Sequence, residues 1–254
     1  MIPKKIHYCW FGNGPKPPLA ERCFKSWRKF CPDYEIIEWN ESNYDLSAAP
    51  LYVRQAHENK KWAFVTDYVR LKVVYDQGGI YLDTDVELIK SLDSLLNYSA
   101  FFGFEDKSLV ATGLGFGAEK GAPVLELLMA DYNEIPFVKE DGSLDLLSCP
   151  HRNTKALEAL GLKKDNTKQI LPGNVAVFPS SYFCPLSYIT GKKTITADTV
   201  SIHWYNASWL PEEQKKRRKR RILKNKILRP IKDVLKVVLG KKLAGKLKKK
   251  VYKD

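Results

Sequence analysis

The chain has 254 residues, of which 44% are hydrophobic and 12% aromatic, which is enough for a globular core and too much for a disordered chain. Its net charge of +13 comes from the C-terminal end, because residues 211–254 hold 19 basic and 4 acidic residues, whereas residues 1–210 hold 23 basic and 25 acidic ones. The positive net charge therefore says nothing about what the first 210 residues bind. The five cysteines include no C-x-x-C pair and are odd in number, which argues against a zinc module and against a full disulfide framework.

The first forty residues predict a strand, a helix and a second strand. The stretch "KKIHYCWFG" at 4–12 is a short apolar and aromatic run that ends in a Gly/Pro-rich loop. Residues 19–32 place apolar side chains at helical spacing, with Pro32 as a stop, and "YEIIEW" at 34–39 predicts the second strand. This opening is typical of an α/β domain with a mainly parallel sheet.

The stretch "KWAFVTDYVRLKVVYDQGG" predicts a largely buried helix that ends at Gly78 and Gly79, and the strand "IYLDTDVEL" follows at 80–88. In an extended strand Asp83 and Asp85 point to the same face. Two like charges there repel unless a cation, donor groups or water compensate, and a divalent metal with oxygen ligands does this well. A solvated strand end or turn is the alternative for an isolated D-x-D.

The middle and late parts of the chain carry weaker patterns. A helix is predicted over "APVLELLMADYNEI" at 122–135. Strand or strand-and-loop pieces are predicted at 99–105, 110–119, 175–185 and 199–209.

Residues 211–254 are predicted to be a separate basic tail after a domain at 1–210. Apolar residues recur there every three or four positions among lysines, which predicts an amphipathic helix interrupted by Gly240 and Gly245. Binding to an anionic membrane surface would use both the apolar and the basic face of this helix, and we favour it. Docking of the helix on the domain is the second alternative. A nucleic-acid-binding arm is the third, but it would not need the apolar face. Without a signal peptide or spanning segment in the sequence, we expect a cytoplasmic protein, peripheral on the inner face of the plasma membrane.

The block at 63–88, "AFVTDYVRLKVVYDQGGIYLDTDVEL", resembles the central block of the family 32 glycosyltransferases, which include capsular-polysaccharide enzymes and yeast mannosyltransferases and, more distantly, the clostridial glucosylating toxins. The resemblance combines a helical Asp and Arg, a Gly-Gly stop, a Tyr and the D-x-D pair: Asp67, Arg70, Gly78, Gly79, Tyr81, Asp83 and Asp85. "IPKKIHYCWFG" and "HWYNASW" are similar to the family's opening strand and closing loop. The resemblance implies a GT-A-like α/β fold, a Rossmann-type mixed sheet flanked by helices.

A sugar-nucleotide donor needs a cation to offset the charge of its departing diphosphate, so Mn²⁺ or Mg²⁺ is the expected cofactor. Asp85 is the expected direct ligand. The resemblance implies that Asp83 contacts the ribose or sugar hydroxyls and a metal-bound water. His203 is a candidate further ligand, with a packed or solvent-facing histidine as the alternative.

The remaining candidate residues would hold the donor. Asp67 and Arg70 share a helix face, so an intrahelical ion pair is one interpretation. The resemblance implies that they also contact the donor sugar and diphosphate. It also implies that Trp10 stacks on the nucleobase, with a core tryptophan as the alternative, and that Ser208 and Trp209 form a lid over the diphosphate. Further candidate donor contacts are Asn43, Thr66 and Tyr81. The segment at 147–157 departs from the Gly-Pro pair of many relatives.

Together with the resemblance, these residues predict a metal-dependent glycosyltransferase that moves a hexose from a nucleotide-diphosphate sugar, UDP-sugar favoured, to a growing polysaccharide or lipid-linked oligosaccharide. The resemblance implies retention of the anomeric configuration. A haloacid-dehalogenase-like phosphatase is one alternative, but the motif of those enzymes has Thr or Val at the position that Glu87 occupies here. A non-catalytic sugar- or nucleic-acid-binding protein is the other rival, although nucleic acid is an unfavoured partner.

Overall fold

The computed structural model describes residues 1–206, 213, 216–218 and 220–224. Contacts divide them into a main unit, 1–186 with 194–206, and a smaller unit of 187–193 with the described residues beyond 210. Within the smaller unit the guanidinium groups of Arg218 and Arg221 lie 4.3 and 5.8 Å from the centre of the Tyr188 ring. Most of the predicted tail lies outside the described residues, and the domain boundary at 210 stays a prediction.

The main unit alternates helices and short strands. Its helices are α1 (Pro18–Phe30), α2 (Leu51–Glu58), α3 (Trp62–Gln77), α4 (Pro123–Glu134), α5 (Cys149–Glu158) and α6 (Ser180–Phe183). Its strands are β1 (Lys5–Cys9), β2 (Glu35–Trp39), β3 (Gly79–Tyr81), β4 (Val86–Leu88), β5 (Ala100–Gly103), β6 (Phe116–Ala118), β7 (Gln169–Leu171), β8 (Val175–Phe178) and β9 (Ser201–His203).

Seven strands form one mixed sheet in the order β2-β1-β3-β6-β5-β8-β7. Strands β2, β1 and β3 are parallel, as the strand-helix-strand opening predicts, and β5 is parallel to β8. Strands β6 and β7 pair antiparallel with their neighbours, so the sheet is mixed, with five of its seven strands running in one direction. The connection from β5 to β6 contains no crossover helix, which a parallel pair would need. The mixed sheet flanked by helices is confirmed.

Helix α3 is the centre of the core. Buried, mostly apolar side chains lie around most of its circumference, and it packs against α2, α4 and β1. It ends at Gly78, whose φ of +65° suits glycine, and a side chain there would meet the backbone of Lys120 and the ring of Pro3 at 2.9 Å. Strand β3 therefore follows the helix at once and lies beside β1.

The predicted strand at 80–88 is two short strands separated by a turn that contains Asp83 and Asp85. The N–H of Val86 donates to the carbonyl oxygen of Asp83 at 2.9 Å, which closes this turn. Strand β4 then pairs antiparallel with β9 in a second sheet of two strands. The argument from strand alternation was wrong, because a turn brings the two carboxylates together.

Other differences are local. Helices α2 and α5 and strand β7 were not predicted, and the predicted strand at 110–119 is a short 3₁₀ helix, Thr112–Leu114, followed by β6. All five cysteines are free and buried, which agrees with the absence of a disulfide framework. Among the described residues, no helix is both long and apolar enough to cross a membrane.

Candidate functional site

Asp83, Asp85 and His203 converge at the junction between the two sheets. Each offers one ligand atom, and these atoms all lie within 4.8 Å of one another. Val86 is paired with His203 across the β4–β9 ladder, and this pairing carries the imidazole to the D-x-D turn. The His203 Nε2 atom lies 3.2 Å from Asp85 Oδ1, and the backbone N–H of Asn206 donates to Asp85 Oδ2 at 2.7 Å.

The surroundings shift the pKa values of these three groups in different directions. Burial raises the pKa of Asp83, and the negative charge of Asp85 adds to the rise against the opposing effect of Arg70. Burial would also raise the pKa of Asp85, but His203 and the Asn206 N–H hold it below its ordinary value. Burial would lower the pKa of His203, but the attraction of Asp85 holds that pKa well above its ordinary range. Asp85 is therefore the stronger anionic ligand.

A second cluster joins helix α3 to the D-x-D turn. Arg70 donates from Nη2 to Asp67 Oδ1 at 2.7 Å, and its Nη1 lies 3.6 Å from Asp83 Oδ1. The Nε of Arg70 donates to the Thr66 carbonyl oxygen at 2.9 Å, and the Tyr81 hydroxyl donates to Asp83 Oδ1 at 2.9 Å. The predicted intrahelical ion pair is present, and it extends to the D-x-D turn.

Burial governs the charges of this second cluster. Arg70 is 4% exposed and Asp67 is 7% exposed. Burial raises the pKa of Asp67, and Arg70 opposes the rise. Burial would lower the pKa of Arg70, but Asp83, Tyr81 and Asp67 hold it well above its ordinary range. A permanent cation thus lies between the buried Asp67 carboxyl group and the half-buried Asp83 carboxyl group, where it can also face an anionic ligand.

The sequence reasoning missed the wall opposite Arg70. A Cβ atom on Gly113 would lie 2.5 Å from Asp83 Oδ2 and 3.1 Å from Arg70 Nη1, so the close approach requires glycine. Helix α5 begins beside it, where Asn153 donates from Nδ2 to Thr112 Oγ1 at 3.1 Å. The Thr112 hydroxyl donates to the Cys149 Sγ atom at 4.0 Å. The glycines in "VATGLGFG" were the available sequence signal for this wall.

The two outer donor candidates follow β1 and β2. Because β1, β2 and β3 are parallel, Trp10, Asn43 and Asp83 all follow strands at the same edge of the sheet. The Trp10 Nε1–H donates to the Gly14 carbonyl oxygen at 2.7 Å. Asn43 donates to the Glu38 carbonyl oxygen at 2.7 Å and accepts from the Asn40 N–H, so its amide shapes the loop after β2.

Ser208 and Trp209 lie outside the described residues, so the predicted lid stays a prediction.

Thr66 accepts a hydrogen bond at its Oγ1 from Arg70 Nη2 at 3.2 Å and donates to the Ala63 carbonyl oxygen at 2.8 Å. It therefore supports Arg70 within the helix.

Two carboxylates and one imidazole fit a hard or borderline divalent cation such as Mn²⁺ or Mg²⁺. Asp85 and His203 already face each other through the atoms that would bind it, and Asp83 completes the set. When bound, the cation would supply Lewis-acid stabilisation of a departing phosphate. The residues present therefore fit the expected metal.

Comparisons with known proteins bear on the same region. Residues 17–102 match the profile of a family described as "Glycosyltransferase sugar-binding region containing DXD motif". Over 127 residues the chain is 35% identical to inositol phosphoceramide mannosyltransferase 3 of Schizosaccharomyces pombe, across 49% of this chain and 35% of the yeast protein. The chain therefore spans about a third of the length of this relative.

Two solved glycosyltransferase structures are also similar. The PaToxG glycosyltransferase is 20% identical, with a TM-score of 0.47 over 62% of this chain and 69% of its own. A glycosyltransferase involved in glycosylation of the major capsid of PBCV-1 is 14% identical, with a TM-score of 0.42 over 84% of this chain and 98% of its own. The segment that matches the family profile, residues 17–102, contains α3, the D-x-D turn and the Asp67–Arg70 pair. Over residues 17–102 the chain is thus similar to glycosyltransferase sugar-binding regions that contain a DXD motif, in agreement with the resemblance of the block at 63–88.

Proposed function

We propose that the protein is a metal-dependent glycosyltransferase of family 32 that transfers a hexose from a nucleotide-diphosphate sugar to a glycan acceptor. The observation that carries the proposal is the convergence of Asp83, Asp85 and His203 beside the buried Asp67–Arg70 pair. This arrangement combines a cation site with a fixed guanidinium, and both complement a diphosphate. The family match over this segment supports the same interpretation.

Each group has a role that follows from its surroundings. Asp85, held ionised by His203 and the Asn206 N–H, would be the principal metal ligand. Asp83 would share the metal and face the donor ribose or sugar. Arg70 would hold the diphosphate or the sugar, and Asp67 would accept hydrogen bonds from sugar hydroxyls. Because Tyr81 and Gly113 enclose the Asp83 carboxylate, its orientation is set before a donor binds.

The proposal includes retention of the anomeric configuration. No carboxylate of the described cluster is unengaged as a nucleophile, since Asp67 pairs with Arg70, Asp83 with Tyr81 and Asp85 with His203. We therefore favour front-face displacement, in which the leaving phosphate oxygen takes the acceptor proton. NMR of the first-formed product tests this step, and an inverted anomeric configuration would contradict it.

The donor nucleotide and the acceptor are finer parts of the proposal. We favour a UDP-sugar donor and a growing polysaccharide or lipid-linked oligosaccharide as acceptor. The apolar and basic pattern of residues 211–254 supports contact with an anionic membrane at the cytoplasmic face. Deletion of the residues after Glu213 should weaken binding to anionic liposomes and leave donor hydrolysis unchanged, and equal liposome binding would contradict the membrane role.

The decisive experiment is a screen of UDP- and GDP-sugars with Mn²⁺, read as release of the nucleoside diphosphate. Asp85→Ala should reduce metal-dependent release by about a hundredfold or more, because it removes the ligand that charge and hydrogen bonds favour most. Asp165→Asn, a change at an exposed loop carboxylate, is the matched control. Release of phosphate from phosphomonoesters instead would favour the phosphatase, and no turnover at all would favour a binding protein.

A further inference from the structure

The segment that follows β9 binds the D-x-D turn through three successive contacts with one residue. The imidazole of His203 meets the Asp85 carboxylate, the Trp204 N–H donates to the Asp85 carbonyl oxygen at 3.0 Å, and the Asn206 N–H donates to Asp85 Oδ2 at 2.7 Å. The last two bonds require the chain to turn between Trp204 and Asn206. Tyr205 makes this turn with a φ of +53°.

A tyrosine is an unusual residue for that backbone conformation. The non-glycine residues with positive φ in the described part of the chain are Asn13, Lys60, Asn166, Asn174 and Tyr205. Three of them are asparagine, which tolerates the left-handed region, whereas a bulky aromatic residue is strained there. The side chain of Tyr205 must therefore contribute something that asparagine would not.

The Tyr205 ring covers His203. The two ring centroids are 4.3 Å apart, at an interplanar angle of 51°. The Tyr205 hydroxyl lies 2.9 Å from the Cys184 Sγ atom, and both residues are buried. Helix α6 ends just before Cys184 and lies against β9, so the ring is tied to an element outside the D-x-D turn.

His203 needs such a support. A metal-binding histidine commonly donates its second ring N–H to a partner that fixes the ring orientation. In the part of the chain that the structure describes, the Nδ1 atom of His203 is buried without a hydrogen-bond partner. Its orientation therefore depends on packing, and the ring packed on it is that of Tyr205.

We propose that Tyr205, tied to Cys184 through its hydroxyl, is a positioning residue that fixes His203 for metal binding. This inference rests on the proposed function, because it assumes that His203 is a ligand. Tyr205 touches neither the metal nor the donor in this role. It supplies the turn that seats Asn206 on Asp85 and the ring that orients the imidazole.

Mn²⁺ titration of the purified full chain, alone and with UDP or GDP, tests the proposal by calorimetry. Tyr205→Asn keeps the left-handed turn and removes the ring, and we expect the Mn²⁺ dissociation constant to rise about 10- to 100-fold, as for loss of outer-shell support in metal sites. Tyr205→Phe keeps the ring and removes the tie to Cys184, and a smaller rise of about three- to tenfold is expected. Cys184→Ala removes the same tie and should raise the dissociation constant at least as much as Tyr205→Phe does.

Two further readouts separate positioning from general stability. Melting temperatures are measured on the same samples, and Tyr98→Phe is the control for loss of a tyrosine hydroxyl elsewhere in the main unit. Pulsed electron paramagnetic resonance of bound Mn²⁺ should show weaker ¹⁴N coupling from imidazole in Tyr205→Asn than in the wild type at equal occupancy.

The outcomes distinguish the two proposals. If the wild type binds Mn²⁺ and Asp85→Ala does not, but the Tyr205 variants bind it as tightly as the wild type, the positioning role is wrong and the proposed function stands. If the wild type binds no Mn²⁺ with either UDP or GDP, the proposed function itself fails. Should Tyr205→Asn not fold, unchanged affinity in Tyr205→Phe overturns the positioning role by itself.

Discussion

Asp83 is enclosed by residues from three separate parts of the chain. Its Oδ1 atom accepts a hydrogen bond from the Tyr81 hydroxyl and lies 3.6 Å from Arg70 Nη1. Its Oδ2 atom would lie 2.5 Å from a Cβ atom at residue 113. Partial burial raises the pKa of Asp83, and the negative charge of Asp85 adds to the rise against the effect of Arg70, so a bound divalent cation would favour the ionised carboxylate. A small steric change at residue 113 should therefore affect the metal directly.

Gly113→Ala should weaken Mn²⁺ binding about tenfold or more, because the added methyl group occupies the position of the Asp83 carboxylate and displaces this ligand. Calorimetric titration with Mn²⁺ measures the change. Gly117→Ala is the matched control, since its Cβ would lie at the same 2.5 Å from a neighbouring atom, but that atom belongs to the Phe101 ring in the core. The control should lose stability and keep its Mn²⁺ affinity, and equal Mn²⁺ affinity in both variants would contradict the assignment.

His7 is a second residue whose charge state the fold decides. The Trp39 Nε1–H donates to His7 Nδ1 at 3.1 Å, so the proton of the neutral ring lies on Nε2 and is donated to the Gly78 carbonyl oxygen at 2.8 Å. Both ring nitrogens are satisfied only when the ring is neutral. Burial lowers the pKa of His7 below its ordinary 6.5, and the Gly78 bond only partly opposes this.

The free energy of unfolding should therefore fall as the pH drops below about 6.5, because the unfolded chain binds a proton on residue 7 that the folded chain refuses. The loss contributed by this residue approaches about 1.4 kcal/mol per pH unit until the folded-state pKa is reached. Urea unfolding of the wild type and His7→Gln, at about pH 7.5 and about pH 5.5, measures it. The variant should be less stable at the higher pH but lose less on acidification, and parallel losses would show that His7 is not the group responsible.

At the scale of elements, α1 supports the D-x-D turn from outside the main sheet. The Trp27 Nε1–H donates to the Val86 carbonyl oxygen at 2.8 Å, and Ser26 Oγ accepts from the Leu88 N–H at 2.9 Å. Both bonds are buried and reach β4, a strand of three residues whose only strand neighbour in the described part of the chain is β9. A short strand with one partner depends on such side-chain bonds to stay in register.

Ser26→Ala should lower the free energy of unfolding by about 1–2 kcal/mol, because it leaves the buried Leu88 N–H without its acceptor. Chemical denaturation measures this loss. Ser108→Ala, at an exposed turn, should change stability by less than about 0.5 kcal/mol. A variant at Ser26 as stable as the wild type would mean that a water or another group satisfies Leu88.

Strong periodic segments were predictable from the sequence, and short ones were not. Helices α1 and α3 have long apolar patterns and clear stop signals, so their positions follow from the residues. The D-x-D turn was misjudged because "IYLDTDVEL" alternates like one strand, whereas the pairing of β4 with β9 involves residues far away in the chain. The glycines of "VATGLGFG" indicate a close approach but not the partner of Gly113, and Tyr205 gave no local signal, because tertiary packing creates both sets of contacts.

At the scale of the whole main unit, the site joins elements that the sequence separates widely. Helix α3, the D-x-D turn and β9 supply the clustered groups, and the unfolded chain has no such cluster. A ligand that needs all of these groups binds the folded state alone and therefore stabilises it. Metal and nucleotide binding should thus appear as a change in global stability.

Mn²⁺ with the preferred nucleoside diphosphate, at about 100 times the dissociation constant, should stabilise the wild type by about 2.7 kcal/mol. For a domain of this size that corresponds to a rise of about 5–10 °C in melting temperature, measured by differential scanning calorimetry. His203→Gln should lose most of the rise, because β9 no longer contributes to the cation site, while its melting temperature in EDTA serves as its own reference. His57→Gln, a change at a histidine on α2, should keep the full rise, and a full rise in His203→Gln would remove His203 from the metal site.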